Sequence, residues 1–168
     1  MVIKSSTRVS REVKDLLHEN IVKFIRVVGA SGDGLSSALD SIQTLDCVSN
    51  RCLTISDIFF SGRIGFIGWF ANALGVFEGV NTRPGFIPPF LLEFARLRDI
   101  GVVLIDDFHE VFRAPGITVG RLMFDINSLL AALPELRIII CEAEDIDSPN
   151  YVHLLNCPVA NVKLRMSR

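Results

Sequence analysis

The chain has 168 residues, enough for one domain with a substantial core and too few for two. Hydrophobic residues make up 49% and charged residues 21%, which excludes a disordered chain. Lys+Arg 17 against Asp+Glu 19 leaves a net charge of -2, which excludes a global basic field for nucleic acid and leaves only local patches. The four cysteines, Cys47, Cys52, Cys141 and Cys157, form no CxxC pair and lie in or beside apolar runs, as buried reduced thiols do. The N-terminal MVIKSSTRVSREVK has no apolar h-region, and no apolar run reaches a membrane-span length, so a cytoplasmic protein with no membrane partner is expected.

From Ser5 to Asn20, Val9, Val13, Leu16 and Leu17 recur at helical spacing among charges, which predicts an amphipathic helix. IVKFIRVVGASGDGLSSALDSI then reads as strand, glycine-rich loop and helix. Cys52 to Ile58 reads as a second strand ending in Ser56 and Asp57, and a buried helix is expected from about Ile64 to Leu74, within the apolar run IGFIGWFANALGVF. Phe77 to Pro89 is glycine- and proline-rich and reads as a loop, followed by a helix from Phe90 to Leu97. A third strand, Val102 to Ile105, is apolar without alternation and runs into Asp106 and Asp107. Val119 to Leu133 has helical spacing and stops near Pro134; Leu136 to Asp145 is another all-apolar strand with acids at its end. Ser148-Pro149 predicts the start of a short helix through Leu155, and Asn161 to Met166 alternates as a last strand. This βαβαβαβαβ order predicts an α/β fold with a mainly parallel five-stranded sheet covered on both faces. The loop after the first strand and the acids after the third then share one edge.

That edge is where open α/β sheets bind ligands. The loop Gly29-Ala30-Ser31-Gly32-Asp33-Gly34-Leu35-Ser36 fits G-x-x-x-x-G-K-[ST] at every fixed position except the lysine, where Leu35 stands. Glycines let the backbone wrap an anion and aim N–H groups at it from a helix N-terminus. The candidate cofactor-binding residues are therefore Gly29, Ala30, Ser31, Gly32, Asp33, Gly34, Leu35, Ser36 and Ser37, for ATP or another nucleotide with Mg²⁺. Ser36 and Asp106 are the candidate metal ligands, and Asp107 is the candidate catalytic residue, orienting a water. Leucine has no donor for phosphate oxygens, and an aspartate is a methylene shorter than glutamate, so efficient hydrolysis is not expected. A glycine-rich turn that binds nothing, or a solvated strand end, would have the same residues.

These residues resemble the transposon ATP-binding proteins TniB and TnsC of the AAA+ class. The similarity lies in LIDDFHEVF, with Asp106, Asp107 and His109, against the family's IDE-x-H; in the helix leading into it, LLEFARLRDIGVVLID; and in LPELRIIICEAEDI and LLNCPVANVKL. It covers roughly Asn20 to Met166 and implies a three-layer P-loop NTPase core at 20–168, with residues 1–19 as an N-terminal helix and lead-in. Asn156 matches, whereas Cys157 stands where the family has arginine, and the chain ends where the family's helical lid would begin. The resemblance implies a degenerate nucleotide-binding or pseudo-ATPase regulator in DNA transposition or a related mobile-element process. Its implied partners are copies of itself, DNA, and a transposase or targeting protein.

Two other readings stay open: a non-enzymatic interaction domain that keeps the P-loop fold as a scaffold, and a phosphohydrolase of another P-loop type that takes its lysine from elsewhere. His109 reads as a surface or helix-start histidine, with a sensing role implied only by the resemblance. Glu142 and Glu144 stand where the resemblance would put a phosphate sensor, and a carboxylate there repels phosphate. Arg8, Arg11, Lys14, Lys23, Arg26, Lys163, Arg165 and Arg168 read as exposed basic residues toward the two ends.

Overall fold

The computed structural model describes residues 2–55, 60, 64–76, 83–147 and 149–164. Helix α1 spans Val2–Glu19 and ends where Asn20 turns into the left-handed region (φ 57), which asparagine tolerates. It turns Val9 and Val13, one turn apart, into the core and leaves Arg8, Arg11, Glu12 and Lys14 in solvent. Strand β1, Phe24–Gly29, leads through a short loop into α2, Leu35–Gln43, and a single turn, α3, Asp46–Ser49. Strand β2 is Cys52–Ile55; the continuation to Ile58 expected from sequence, with Ser56 and Asp57, lies outside the described residues. Helix α4, Gly65–Ala73, is buried through Ala71, as expected of its apolar run. Of the loop expected at Phe77 to Pro89, residues 77–82 lie outside the described residues, and 83–88 form neither helix nor strand. Helix α5, Pro89–Leu97, starts on a proline whose missing N–H costs nothing in the first turn.

Strand β3, Val102–Ile105, and β4, Arg137–Ala143, are buried along their whole length, which explains why both lack polar alternation. Helix α6, Val119–Ala132, lies between them in sequence; Thr118 caps it by accepting from the Arg121 N–H at 3.4 Å. Strand β5 is Val159–Lys163; the run expected to reach Met166 passes beyond the described residues at Leu164. The helix expected from Ser148-Pro149 to Leu155 is replaced by one 3₁₀ turn, Val152–Leu154; Ser148 itself is outside the described residues.

The five strands form one parallel sheet in the order β2-β3-β4-β1-β5. Period-two alternation divides the side chains between two cores. On one face Ile25, Val27, Val102, Leu104, Ile139 and Cys141 pack under α1, α2 and α3. On the other, Phe24, Val103, Ile105, Ile138 and Ile140 pack against α4, α5 and α6. Register puts Arg26 beside Ile140 and Ile140 beside Ile105, so β1 and β3 reach the same carboxyl edge with β4 between them. Among the described residues no helix is long and apolar enough to cross a membrane.

Candidate functional site

The loop after β1 is built by its glycines. At Gly29 an added Cβ would lie 3.2 Å from Leu164 Cβ and 3.3 Å from the Leu164 carbonyl oxygen, so any side chain there requires the residue after β5 to give by a few tenths of an ångström. Gly32 and Gly34 take φ 86 and φ 88, the left-handed region that turns the chain back into α2. The first α2-side donor to find a carbonyl is the Ala38 N–H, on Gly34 O at 2.9 Å. The N–H groups of Leu35, Ser36 and Ser37 therefore open the helix without a carbonyl acceptor, and Ser36 and Ser37 are exposed. Leu35 turns the other way. It is buried and packs with Val27, Leu39 and Cys141, and its carbonyl accepts a long contact from the Cys141 thiol at 3.8 Å.

The acids after β3 are shaped by the residue that follows them. Phe108 is fully buried, in edge contact with Phe24 at 6.4 Å and with Tyr151 at 5.4 Å between ring centroids. To return Phe108 to the core so soon after the strand, Asp107 takes φ 48, and its N–H donates to Asp106 Oδ1 at 2.9 Å. Asp106 is half-buried and Asp107 exposed. Both carboxylates reach the Cys141 thiol electrostatically: burial raises that thiol's pKa most, and Asp106 and Asp107 add to it. Cys141 also contacts the first residue of α2, and because β4 pairs with both β1 and β3 the loop and the acid pair share one sheet edge. Among the described residues no cluster of three or more His, Cys, Asp or Glu side chains could hold a metal ion without other ligands.

Several sequence-predicted residues fall elsewhere. Glu142 does not face the loop. Period-two alternation turns it to the α6 face, where it pairs with Arg26 and accepts from the Tyr151 hydroxyl at 2.6 Å. Arg26, expected among the exposed basics, is instead an organising residue of this face. It donates to Glu142, to Tyr151 Oη at 3.1 Å and to Asn161 Oδ1 at 3.0 Å. Burial opposes its charge, but Tyr151 and Glu142 outweigh burial and raise its pKa. Around this network opens a pocket of about 570 Å³, lined among others by Val28, Asn150, Asn161 and Lys163. Glu144 is held by Lys163 at 3.0 Å. His109, expected at the surface or at a helix start, lies at the start of the 3₁₀ turn Phe108–Arg113 but is buried, with Nε2 3.2 Å from Glu110 Oε1. The Asn156 N–H donates to Asn127 Oδ1 at 2.9 Å, tying the approach to β5 onto α6.

Asp145, which sequence spacing did not distinguish from its acidic neighbours, is the one of them whose side chain accepts hydrogen bonds from the loop. Its Oδ1 accepts from both the N–H and the hydroxyl of Ser31, each at 2.9 Å. These bonds, the backbone one first, hold its carboxyl below the usual range. Asp33 closes the loop from within, accepting the Ala30 N–H on Oδ2 at 3.1 Å.

No family model matches the chain, and no curated protein matches it. Solved structures do. A Pif1 helicase studied in DNA unwinding at forked dsDNA matches with a TM-score of 0.50 at 12% identity, over 84% of this chain and 34% of the helicase. Pif1 from a Bacteroides species in complex with ADP-AlF4 matches with a TM-score of 0.51 at 11% identity, over 84% and 33%. The fold is P-loop NTPase-like. Bacteroides Pif1 bound to ADP-AlF3 and ssDNA agrees, with a TM-score of 0.50 at 13% identity, over 83% of this chain and 32% of that one. The chain thus spans about a third of the length of the helicases it matches. The glycine loop after β1 and the acids after β3 stand on one carboxyl edge of this sheet, with Leu35 buried at the first position of α2.

Proposed function

We propose that this chain is a degenerate P-loop domain, residues 20–168 with the lead-in 1–19, that binds a nucleotide weakly and hydrolyses it poorly. The observation that carries the reading is the pairing of a Gly29–Ser37 phosphate-type turn, with free helix N-terminal N–H groups, and a Leu35 buried in the core. The loop and helix donors fit phosphate oxygens; the buried leucine supplies no charge to them. The neighbours solved with ADP-AlF4 and with ADP-AlF3 support a nucleotide as the ligand class. Mg²⁺, when bound with nucleotide, would neutralise phosphate charge. Ser36 and Asp106 would hold it, and Asp107 would orient the attacking water.

The process we assign is DNA transposition or a related mobile-element function, as in TniB and TnsC, with DNA, further copies of the chain, and a transposase or targeting protein as partners. Its support is the resemblance around LIDDFHEVF, together with neighbours one of which was solved on ssDNA. The second reading, an interaction domain that keeps the fold as a scaffold, is favoured by the carboxylates already seated on the Ala30 and Ser31 donors.

Calorimetric titration of the purified chain with ATP and Mg²⁺ separates the two. Binding in the high-micromolar to millimolar range is expected, and Leu35→Lys is expected to tighten it about tenfold, the worth of one charge-assisted contact of about 1.4 kcal/mol. Unchanged affinity in Leu35→Lys would remove the loop as the site, and no heat at millimolar nucleotide would leave the scaffold reading.

A further inference from the structure

The P-loop presents anion-binding donors, and two of its N–H groups are already taken by anions of the same chain. Ser31 gives its N–H and its hydroxyl to Asp145 Oδ1, both at 2.9 Å, and Ala30 gives its N–H to Asp33 Oδ2 at 3.1 Å. Asp33 belongs to the loop and closes a turn within it, with its own N–H on Ala30 O at 3.0 Å. Asp145 comes from outside, across the carboxyl edge from the segment after β4.

That segment is placed, not merely nearby. The Glu144 N–H donates to the Gly29 carbonyl at 2.8 Å, extending the β1–β4 ladder one step beyond Ala143, and the Glu144 side chain is tied to Lys163 at 3.0 Å. Asp145 therefore leaves a fixed point of the sheet and reaches the loop as its next residue. A carboxylate there offers to Ser31 what a phosphate oxygen would offer: a formal negative charge at hydrogen-bond distance. A ligand phosphate at the same donors has to displace it, and a phosphate bound beside it is repelled.

We infer that Asp145 is a built-in anion that occupies the phosphate loop and sets its affinity for nucleotide, so that the loop accepts phosphate only when Asp145 has left Ser31. The inference rests on the nucleotide-binding reading above and names the regulation of that site. It differs from the effect of Leu35: the leucine lacks an attraction, whereas Asp145 adds a competitor. The two effects are therefore separable and additive in the logarithm of affinity if the side chains act independently.

The test uses the full chain with Asp145→Asn, which keeps the shape and an acceptor for Ser31 but removes the charge. Asp145→Ala is the companion, since it removes both. Each is made alone and with Leu35→Lys, and each is titrated calorimetrically with ATP–Mg²⁺ and, separately, with inorganic pyrophosphate. Folding is checked by the fluorescence of Trp69, which is fully buried. We expect Asp145→Asn to tighten both ligands about tenfold and Asp145→Ala more, in each background. A purely structural role for Asp145 predicts no gain from the isosteric Asn variant. If Leu35→Lys binds and adding Asp145→Asn or Asp145→Ala changes nothing, the inference is overturned while the loop remains the site. If no variant, the double ones included, binds at millimolar ligand, the nucleotide reading fails and this inference falls with it.

Discussion

Leu35 decides more about this molecule than any acid does. A long cationic side chain at the first position of α2 would have to leave the core that Leu35 fills with Val27, Leu39 and Cys141. Leu35→Lys should therefore trade about 1.5–3 kcal/mol of folding stability for the affinity it adds, because burial of an apolar side chain of this size is worth about that much. Gly29 carries a steric argument instead of a chemical one. Gly29→Ala places a methyl group 3.2 Å from Leu164 Cβ and should cost about 1–3 kcal/mol, read as a lower urea midpoint in Trp69 fluorescence. An unchanged midpoint would mean that the end of β5 gives way freely. Two aspartates should pull the pH profile in opposite directions. Asp145 has a lowered pKa through its Ser31 bonds, so its contribution is present above the unfolded carboxyl pKa of about 3.9 and is lost as pH falls through the folded value. Asp125 is fully buried beside Arg121 and accepts from the Gly85 N–H at 2.7 Å. Burial outweighs those partners and raises its pKa. The folded state then holds that proton better than the unfolded one, and stability falls as pH rises from about 3.9 through the folded value. Melting temperatures recorded from about pH 3 to 6 should show Asp145→Asn flattening the acid limb and Asp125→Asn removing the opposing slope.

Among the elements, β1 is the one whose polar residue was misread. Arg26 stands at an alternate position of an apolar strand, and sequence alone could not say whether that position faced water or a partner. The partner is Glu142, which is far off in sequence and becomes a neighbour only through the parallel register of β1 and β4. Arg26→Ala leaves Glu142 buried without its counter-charge and should cost about 3–5 kcal/mol. Tyr151→Phe, which removes one hydroxyl from the same network, should cost about 1–2 kcal/mol. Equal losses in urea unfolding would show that the guanidinium contributes no more than one hydrogen bond. The strands themselves were legible because β3 and β4 are buried on both faces and so read as unbroken apolar runs ending in acids. The glycine loop was legible because left-handed turns demand glycine. Asp145 was not legible, since one acid in EAED looks like another until the sheet edge selects which of them meets Ser31. The short helix expected after Ser148 reduced to a 3₁₀ turn because Val152 and Tyr151 pack inward too soon for a longer helix to follow.

At the scale of the whole molecule, the sheet separates two chemistries. The glycine loop leads into α2, which packs on one face, while the Arg26 pocket lies on the α6 face near the same edge. A nucleotide is expected at the first and not at the second. The measurement that tests this most directly is an amide-resolved NMR titration of the full chain with ATP and Mg²⁺. Shifts are expected to concentrate at Ala30, Ser31, Gly32, Gly34, Leu35, Ser36 and Ser37, with Asp145 moving alongside Ser31. Shifts confined to Asn150, Tyr151 and Asn161, or no shifts at millimolar ligand, would contradict this placement.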